Sequence, residues 1–66
     1  MTTNHTPQEY GSELNAISHA FRIARETGIA GYAVECKYGW ISADRKPSIR
    51  FGKVWECLSS GEKVAA

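Results

Sequence analysis

The stretch YAVECKYGW, residues 32–40, decides the fold together with a second stretch, FGKVWEC, residues 51–57. Aromatic and apolar side chains fall on the even positions of the first stretch and on the odd positions of the second. This period of two is typical of strands that bury one face. Because residues 42–48 are rich in turn-forming types, the sequence predicts two strands, 32–42 and 48–58, joined in an antiparallel hairpin.

The pairing register of this hairpin decides where the two cysteines lie. An even-numbered residue of the first strand must oppose an odd-numbered residue of the second, since a shift by one would turn one apolar set into solvent. One such register places Cys36 opposite Cys57. Another register, which pairs Tyr38 with Phe51, separates the thiols by about 13 Å, beyond the reach of a disulfide. We expect two buried free thiols in preference to a disulfide, and the register stays open.

A helix is predicted over residues 7–27. Thr6 suits the N-cap, with Glu9 three positions later to complete a capping box, and Pro7 suits the first helical position. Gly28 can adopt the left-handed conformation that ends helices. At 100° per residue, one narrow arc of the helix is apolar and is expected to face the hairpin; it comprises Tyr10, Leu14, Ile17, Phe21 and Ala24.

These elements predict a single small α+β domain, residues 1–66, with the N-terminal helix packed on an antiparallel β-hairpin. The element order is α-β-β, and a third short strand is compatible with it. Residues 1–5 are expected to be frayed and residues 59–66 to form a loose tail. Ile23 lies on an apolar shoulder beside the core stripe, so it either packs under a loop or the tail or contacts another chain.

Composition and charge narrow the functional classes. The chain has 66 residues, of which 42% are apolar and 23% charged, with a net charge of +1. No apolar run approaches the roughly 20 residues of a membrane span, and the N-terminus lacks the features of a secretory signal. We therefore expect a cytoplasmic protein without membrane contact.

The residue types that carry catalysis or bind metals are sparse. The only soft ligands are Cys36, Cys57, His5 and His19, and none shows the close spacing of a zinc site. Glu35 and Glu56 resemble a carboxylate pair, but a two-stranded surface offers them no cleft. No glycine-rich phosphate loop is present. The sequence therefore predicts no enzyme, no cofactor and no metal site.

Aromatic and basic residues concentrate on the predicted hairpin, and one helix is too narrow to cover all of its aromatic side chains. A second copy of the chain, a third strand or a partner is needed to cover the rest. We expect a non-enzymatic protein that docks on another protein and inhibits or modulates it, with a homodimer as one arrangement. The partner-binding residues predicted for this role are Trp40, Tyr38, Arg45, Lys46, Arg50 and Ile23.

Nucleic-acid binding is the alternative function. Five basic residues fall within residues 37–53 against one acidic residue, and a two-stranded ribbon can enter a major groove. Arg45 and Lys46 at the hairpin tip are expected to reach phosphates, while Tyr38 and Trp40 stack on exposed bases.

In its size and its lack of motifs, the chain is similar to the accessory proteins of bacteriophages and mobile elements. This resemblance is one of type and rests on no particular residues. It implies a host protein as the partner, because many such accessory proteins inhibit or redirect one.

Overall fold

The computed structural model describes residues 8–47 and 52–66, with the side chains of residues 8–10 left aside. This part of the chain contains one helix and five strands: β1 (Gln8–Tyr10), α1 (Glu13–Thr27), β2 (Ala30–Cys36), β3 (Gly39–Ala43), β4 (Val54–Leu58) and β5 (Lys63–Ala65). The strands form one sheet in the order β1-β3-β2-β4-β5, with every neighbouring pair antiparallel. The helix packs on this sheet, which confirms the predicted α+β class.

The first predicted strand is in fact a hairpin. Residues 37 and 38 form a two-residue turn in the middle of the stretch 32–40, and Cys36 pairs with Gly39 across it. The prediction of one strand over 32–42 was therefore wrong. Across the two-residue turn, Glu35 and Trp40 are direct partners and lie on the same face of the sheet. The odd-numbered residues of β2 therefore share a face with the even-numbered residues of β3.

β4 lies on the other side of β2, so β2 is the central strand with β3 and β4 as its neighbours. Ala33 pairs with Trp55, and Gly31 pairs with Cys57. Both pairs join odd-numbered residues, which corrects the predicted odd-with-even register. The predicted strand 48–58 begins only at Val54; residues 48–51 lie outside the described part of the chain. The predicted tail, 59–66, is instead a turn followed by β5.

The helix begins six residues later than predicted, at Glu13 in place of Pro7. Ser12 is the N-cap, and its Oγ accepts a hydrogen bond from the backbone N–H of Asn15 at 3.3 Å. Residues 8–10, predicted as the first helical turns, pair with β3 instead and form an edge strand whose inner backbone groups bond to β3. The predicted end is confirmed: the helix stops at Thr27, and Gly28 is left-handed with φ 74°.

The buried face of α1 is rotated by about 80° from the predicted stripe, at 100° per residue. Leu14 from that stripe is 73% exposed, whereas Ile23 from the shoulder is fully buried. The residues of the helix that are buried are Ala16, Ile17, Ala20, Ile23 and Ala24. Small residues let the helix axis approach the sheet closely, so the alanine-rich face is the one that packs.

The closest approach of helix and sheet lies at Gly31 of β2. A Cβ atom on Gly31 would overlap the backbone carbonyl oxygen of Ala20. Ala33, one position further on the same face of β2, belongs to the central core cluster with Ala20. The central strand therefore presents almost no side-chain volume to the helix at this point.

The two cysteines are free and lie on opposite faces of the sheet. Cys57 faces the helix, is fully buried and has its Sγ 4.0 Å from the carbonyl oxygen of Ile17. Cys36 is half-buried on the other face, beside the turn of the β2–β3 hairpin. Burial raises the pKa of the Cys57 thiol, and Lys63 opposes that shift only in part.

Gly31→Ala should lower the free energy of unfolding by about 3 kcal/mol or more, because the new methyl group collides with backbone that cannot move without displacing the helix. Gly11→Ala is the matched control, since a Cβ there meets nothing within 4 Å, and it should change stability by about 0.5 kcal/mol at most. Urea denaturation of both variants measures the difference. Equal stabilities would contradict the close packing of α1 on β2.

The two thiols should differ in reactivity towards a thiol reagent at pH 8. Cys36 should react within the native protein, whereas Cys57 should react only after unfolding, because its thiol is buried and its raised pKa disfavours the thiolate. Cys36→Ser and Cys57→Ser assign the two kinetic phases. A denatured, unreduced protein that shows fewer than two thiols would reveal a disulfide and contradict the register.

Candidate docking surface

The tip of the β2–β3 hairpin carries the most exposed aromatic ring among the described residues. Tyr38 is 90% exposed, and Lys37 beside it places its Nζ 5.4 Å from the centre of the Tyr38 ring. The ring thus makes a cation–π contact with its chain neighbour but lies outside the core cluster.

The geometry of this turn gives no reason for a tyrosine. Two-residue hairpin turns favour conformations with positive φ, for which Asn-Gly or Asp-Gly is the usual choice. In the described residues only Gly28 and Gly61 have positive φ, so Lys37 and Tyr38 form the turn without one. Because residues that break a local preference without a structural gain often serve a function, Tyr38 is the first candidate for a contact residue.

A groove of about 400 Å³ lies beside the tip. Tyr38 and Trp40 both line it, with Lys37, Cys36 and Ile41. Trp40 is half-buried and packs against the core cluster, and this contact fixes the position of its ring. We call these five residues the tip surface. It combines an exposed ring, a fixed ring and one positive charge.

The remaining predicted contact residues do not join the tip surface. Arg45 and Lys46 lie beyond the far end of β3, and that end is itself about 13 Å from Gly39 at 3.3 Å per residue, so their predicted place at a hairpin tip was wrong. Arg45 is exposed and has its Nε 3.8 Å from a carboxylate oxygen of Asp44. Arg50 lies outside the described residues.

Ile23 cannot contact a partner in the folded chain, because its side chain is fully buried in the core. The sequence analysis placed Ile23 on a shoulder because the predicted buried face of the helix differs from the observed one by about 80°. Substitution of Ile23 by an acidic residue would therefore unfold the domain and would not report on a contact.

Glu35 and Glu56 do not form a carboxylate pair, because they lie on opposite faces of the sheet. Glu35 Oε1 accepts a hydrogen bond of 3.0 Å from the backbone N–H of Lys53. Glu56 Oε2 accepts one of 3.3 Å from the Tyr32 hydroxyl. The pKa of Tyr32 is raised, chiefly by burial and further by the Glu56 charge and this hydrogen bond. Both carboxylates thus have local structural partners.

The polar contacts on the helix side attach α1 to the sheet. The Trp55 indole N–H donates to Glu13 Oε2 at 2.7 Å, and Lys63 Nζ lies 4.3 Å from the Trp55 ring centre. His19 is half-buried, with Nδ1 2.6 Å from the Ser42 hydroxyl. Ser42 is fully buried, so no substrate can reach this hydroxyl in the folded chain.

Lys37 is one of the five basic residues within 37–53 on which the nucleic-acid alternative rests, and the structure places it at the hairpin tip. Lys37 and Tyr38 both fit the apolar alternation of the stretch, so Gly39 is the only residue of the three that indicates a turn. The aromatic residues on either side of Gly39 made a continuous strand the simpler interpretation.

Within residues 8–47 and 52–66, no three His, Cys, Asp or Glu side chains come together in a way that could hold a metal ion. None of the helical structure described for the chain has the length and apolar character that a membrane crossing requires.

The chain was compared with protein-family models, with curated proteins and with solved structures, and none of the three comparisons found a match.

Proposed function

We propose that this protein is a non-enzymatic binding protein that docks on another protein through the tip surface and inhibits or modulates it. The tip surface would supply the anchor, with Tyr38 entering a pocket of the partner and Trp40 forming the wall against which the partner packs. Docking of this kind requires no active site in the chain itself.

The observation that carries the proposal is the 90% exposure of Tyr38 at the apex of a short turn. Tyrosine and tryptophan are enriched among the residues that contribute most to protein–protein affinity. They offer a large contact area and lose little conformational entropy on binding, since each has only two side-chain torsions. A ring held out by a two-residue turn is therefore well suited to bind a preformed pocket.

The distribution of charge favours protein docking over nucleic-acid binding. Among the residues that the structure describes in the groove lining, Lys37 is the only charged one. Arg45 and Lys46 lie beyond the opposite end of β3, and Asp44 is close enough to neutralise part of the Arg45 charge. Nucleic-acid affinity depends on several cations that follow one backbone, and the described cations do not form such a row at the tip.

The resemblance of type to phage and mobile-element accessory proteins makes a host protein in the cytoplasm the partner that we propose. A homodimer is compatible with the same surface, since two copies could bury their Tyr38 rings against each other. Sedimentation equilibrium of wild type and Tyr38→Ser distinguishes that arrangement: a dimer formed through the tip would dissociate in the variant.

Tyr38→Ser should abolish capture of the partner while the domain remains folded. A tagged protein is incubated with nuclease-treated bacterial lysate, and the bound proteins are identified by mass spectrometry. Loss of an anchor residue of this kind lowers affinity by about 30-fold or more. Ile29→Ser is the matched control. Ile29 is also exposed, at 77%, but lies just before the first residue of β2, whereas the tip follows the last one.

A bound protein retained by Ile29→Ser and lost from Tyr38→Ser would support the proposal. A partner retained equally by both variants would contradict it. Binding that disappears with nuclease treatment and weakens in Arg45→Ala/Lys46→Ala would instead favour the nucleic-acid function.

A further inference from the structure

A second groove, of about 530 Å³, lies at the end of the molecule opposite the tip. Leu58 lines this groove and pairs with Ala30, the first residue of β2. The tip follows the last residue of β2, so the groove and the tip lie at opposite ends of that strand. The helix contributes Ser18, Phe21 and Arg25, and the β4–β5 turn contributes Ser59 and Ser60 beside Leu58. We call these six residues the serine groove.

The charge in the serine groove is positive. Arg25 is exposed in the last turn of α1 and is the one charged residue in the lining that the structure describes. The neighbouring arginine of the helix, Arg22, behaves differently, because its Nε lies 3.5 Å from Glu26 Oε2 in an ion pair one turn apart. Arg25 therefore gives the groove a guanidinium group, and none of the described lining residues is acidic.

Three serines, Ser18, Ser59 and Ser60, line the groove together with Arg25. The β4–β5 turn holds the latter two in place: the Gly61 N–H donates to the Leu58 carbonyl at 2.9 Å, and Gly61 has φ 99°. Hydroxyl groups are neutral donors that adjust to an acceptor by rotation. A guanidinium with several hydroxyls is a donor set that matches the oxygens of a phosphoryl group.

The floor of the groove is apolar. This floor is Phe21, which is half-buried, so part of its ring is open to a ligand; Leu58 pairs with Ala30, and its side chain belongs to the face of the sheet away from the helix. Binding sites for small molecules combine such an apolar surface with a few convergent polar groups, in volumes of about 300–1,000 Å³. From the lone guanidinium, the three hydroxyls and the apolar floor, we propose that the serine groove binds a phosphate monoester attached to a small apolar or aromatic body.

A structural role for Arg25 makes a different prediction. A cation in the last helical turn interacts favourably with the helix dipole, and this role would require neither the serines nor a ligand. If Arg25 had only this role, Arg25→Gln would have a lower thermal stability and unchanged ligand binding.

The number of charges in the groove argues for a small ligand, since one described cation is too few for the backbone of a nucleic acid.

Phenyl phosphate is the probe, titrated into the full chain while backbone amide shifts are followed by NMR. The amide signals of Ser59, Ser60 and Gly61 should shift and saturate at millimolar concentration. Arg25→Gln should weaken binding about tenfold or more, as expected on removal of a charged hydrogen-bond donor. Arg22→Gln, an equivalent change on the same helix outside the groove lining, should bind as wild type does.

Phenol and inorganic phosphate are the two partial ligands. Each should bind at least several-fold more weakly than phenyl phosphate if the floor and the donors act together. The proposal is overturned if phenyl phosphate gives no saturable shift, if Arg25→Gln and Arg22→Gln lose affinity equally, or if either partial ligand binds as tightly. Thermal unfolding of both variants shows that each is folded when it is titrated.

Discussion

The contact between Gly31 and Ala20 sets the distance between helix and sheet, and the other elements adjust to it. Because Gly31 has no side chain, the backbone of α1 lies almost directly on the central strand. A short distance of this kind is filled by small residues: the core cluster there has alanines on both the helix and β2, with Cys57 paired to Gly31. The larger residues of the core are therefore pushed to the margins of the contact.

This arrangement explains the position of the two tryptophans. Trp40 and Trp55 lie on the same face as Gly31, on strands to either side of β2, and both are half-buried. They close the space that a helix lying so near the sheet leaves at its edges. Trp55 is oriented by Glu13 and covered by Lys63, so polar groups complete the packing where apolar ones do not reach. Trp40 keeps an exposed part, which forms one wall of the tip groove.

The elements that were predicted correctly depend on local chemistry. Gly28 ends the helix because a left-handed residue is required there, and the α+β class follows from the change of period after it. The elements that were missed depend on pairing between distant residues. β1 exists because β3 is available to pair with it, and no pattern within residues 6–9 distinguishes that outcome from a capping box. Lys37 and Tyr38 lack the usual signal of a hairpin turn.

The positions of the candidate site residues also depend on pairing between distant parts of the chain. Tyr38 and Trp40 stay predictions as contact residues; the sequence placed both within one strand, and the structure brings them to one groove because the chain turns at Lys37 and Tyr38. Arg45 and Lys46 were misplaced, because their position depends on where the hairpin turns. Ile23 was misassigned because the predicted buried face of the helix differs from the observed one by less than a third of a turn. An error of that size moves a residue from the core to the surface.

The inversion of alternation at the tip has a consequence for how this surface can vary. Trp40 faces the helix and Ile41 faces away only because the turn has two residues. One residue more or less would exchange these side chains and place an isoleucine where the core now holds an indole. The side chains of the turn itself carry no such constraint, since they lie outside the core cluster. The side chains of the turn can therefore change without a loss of stability, whereas the length of the turn cannot.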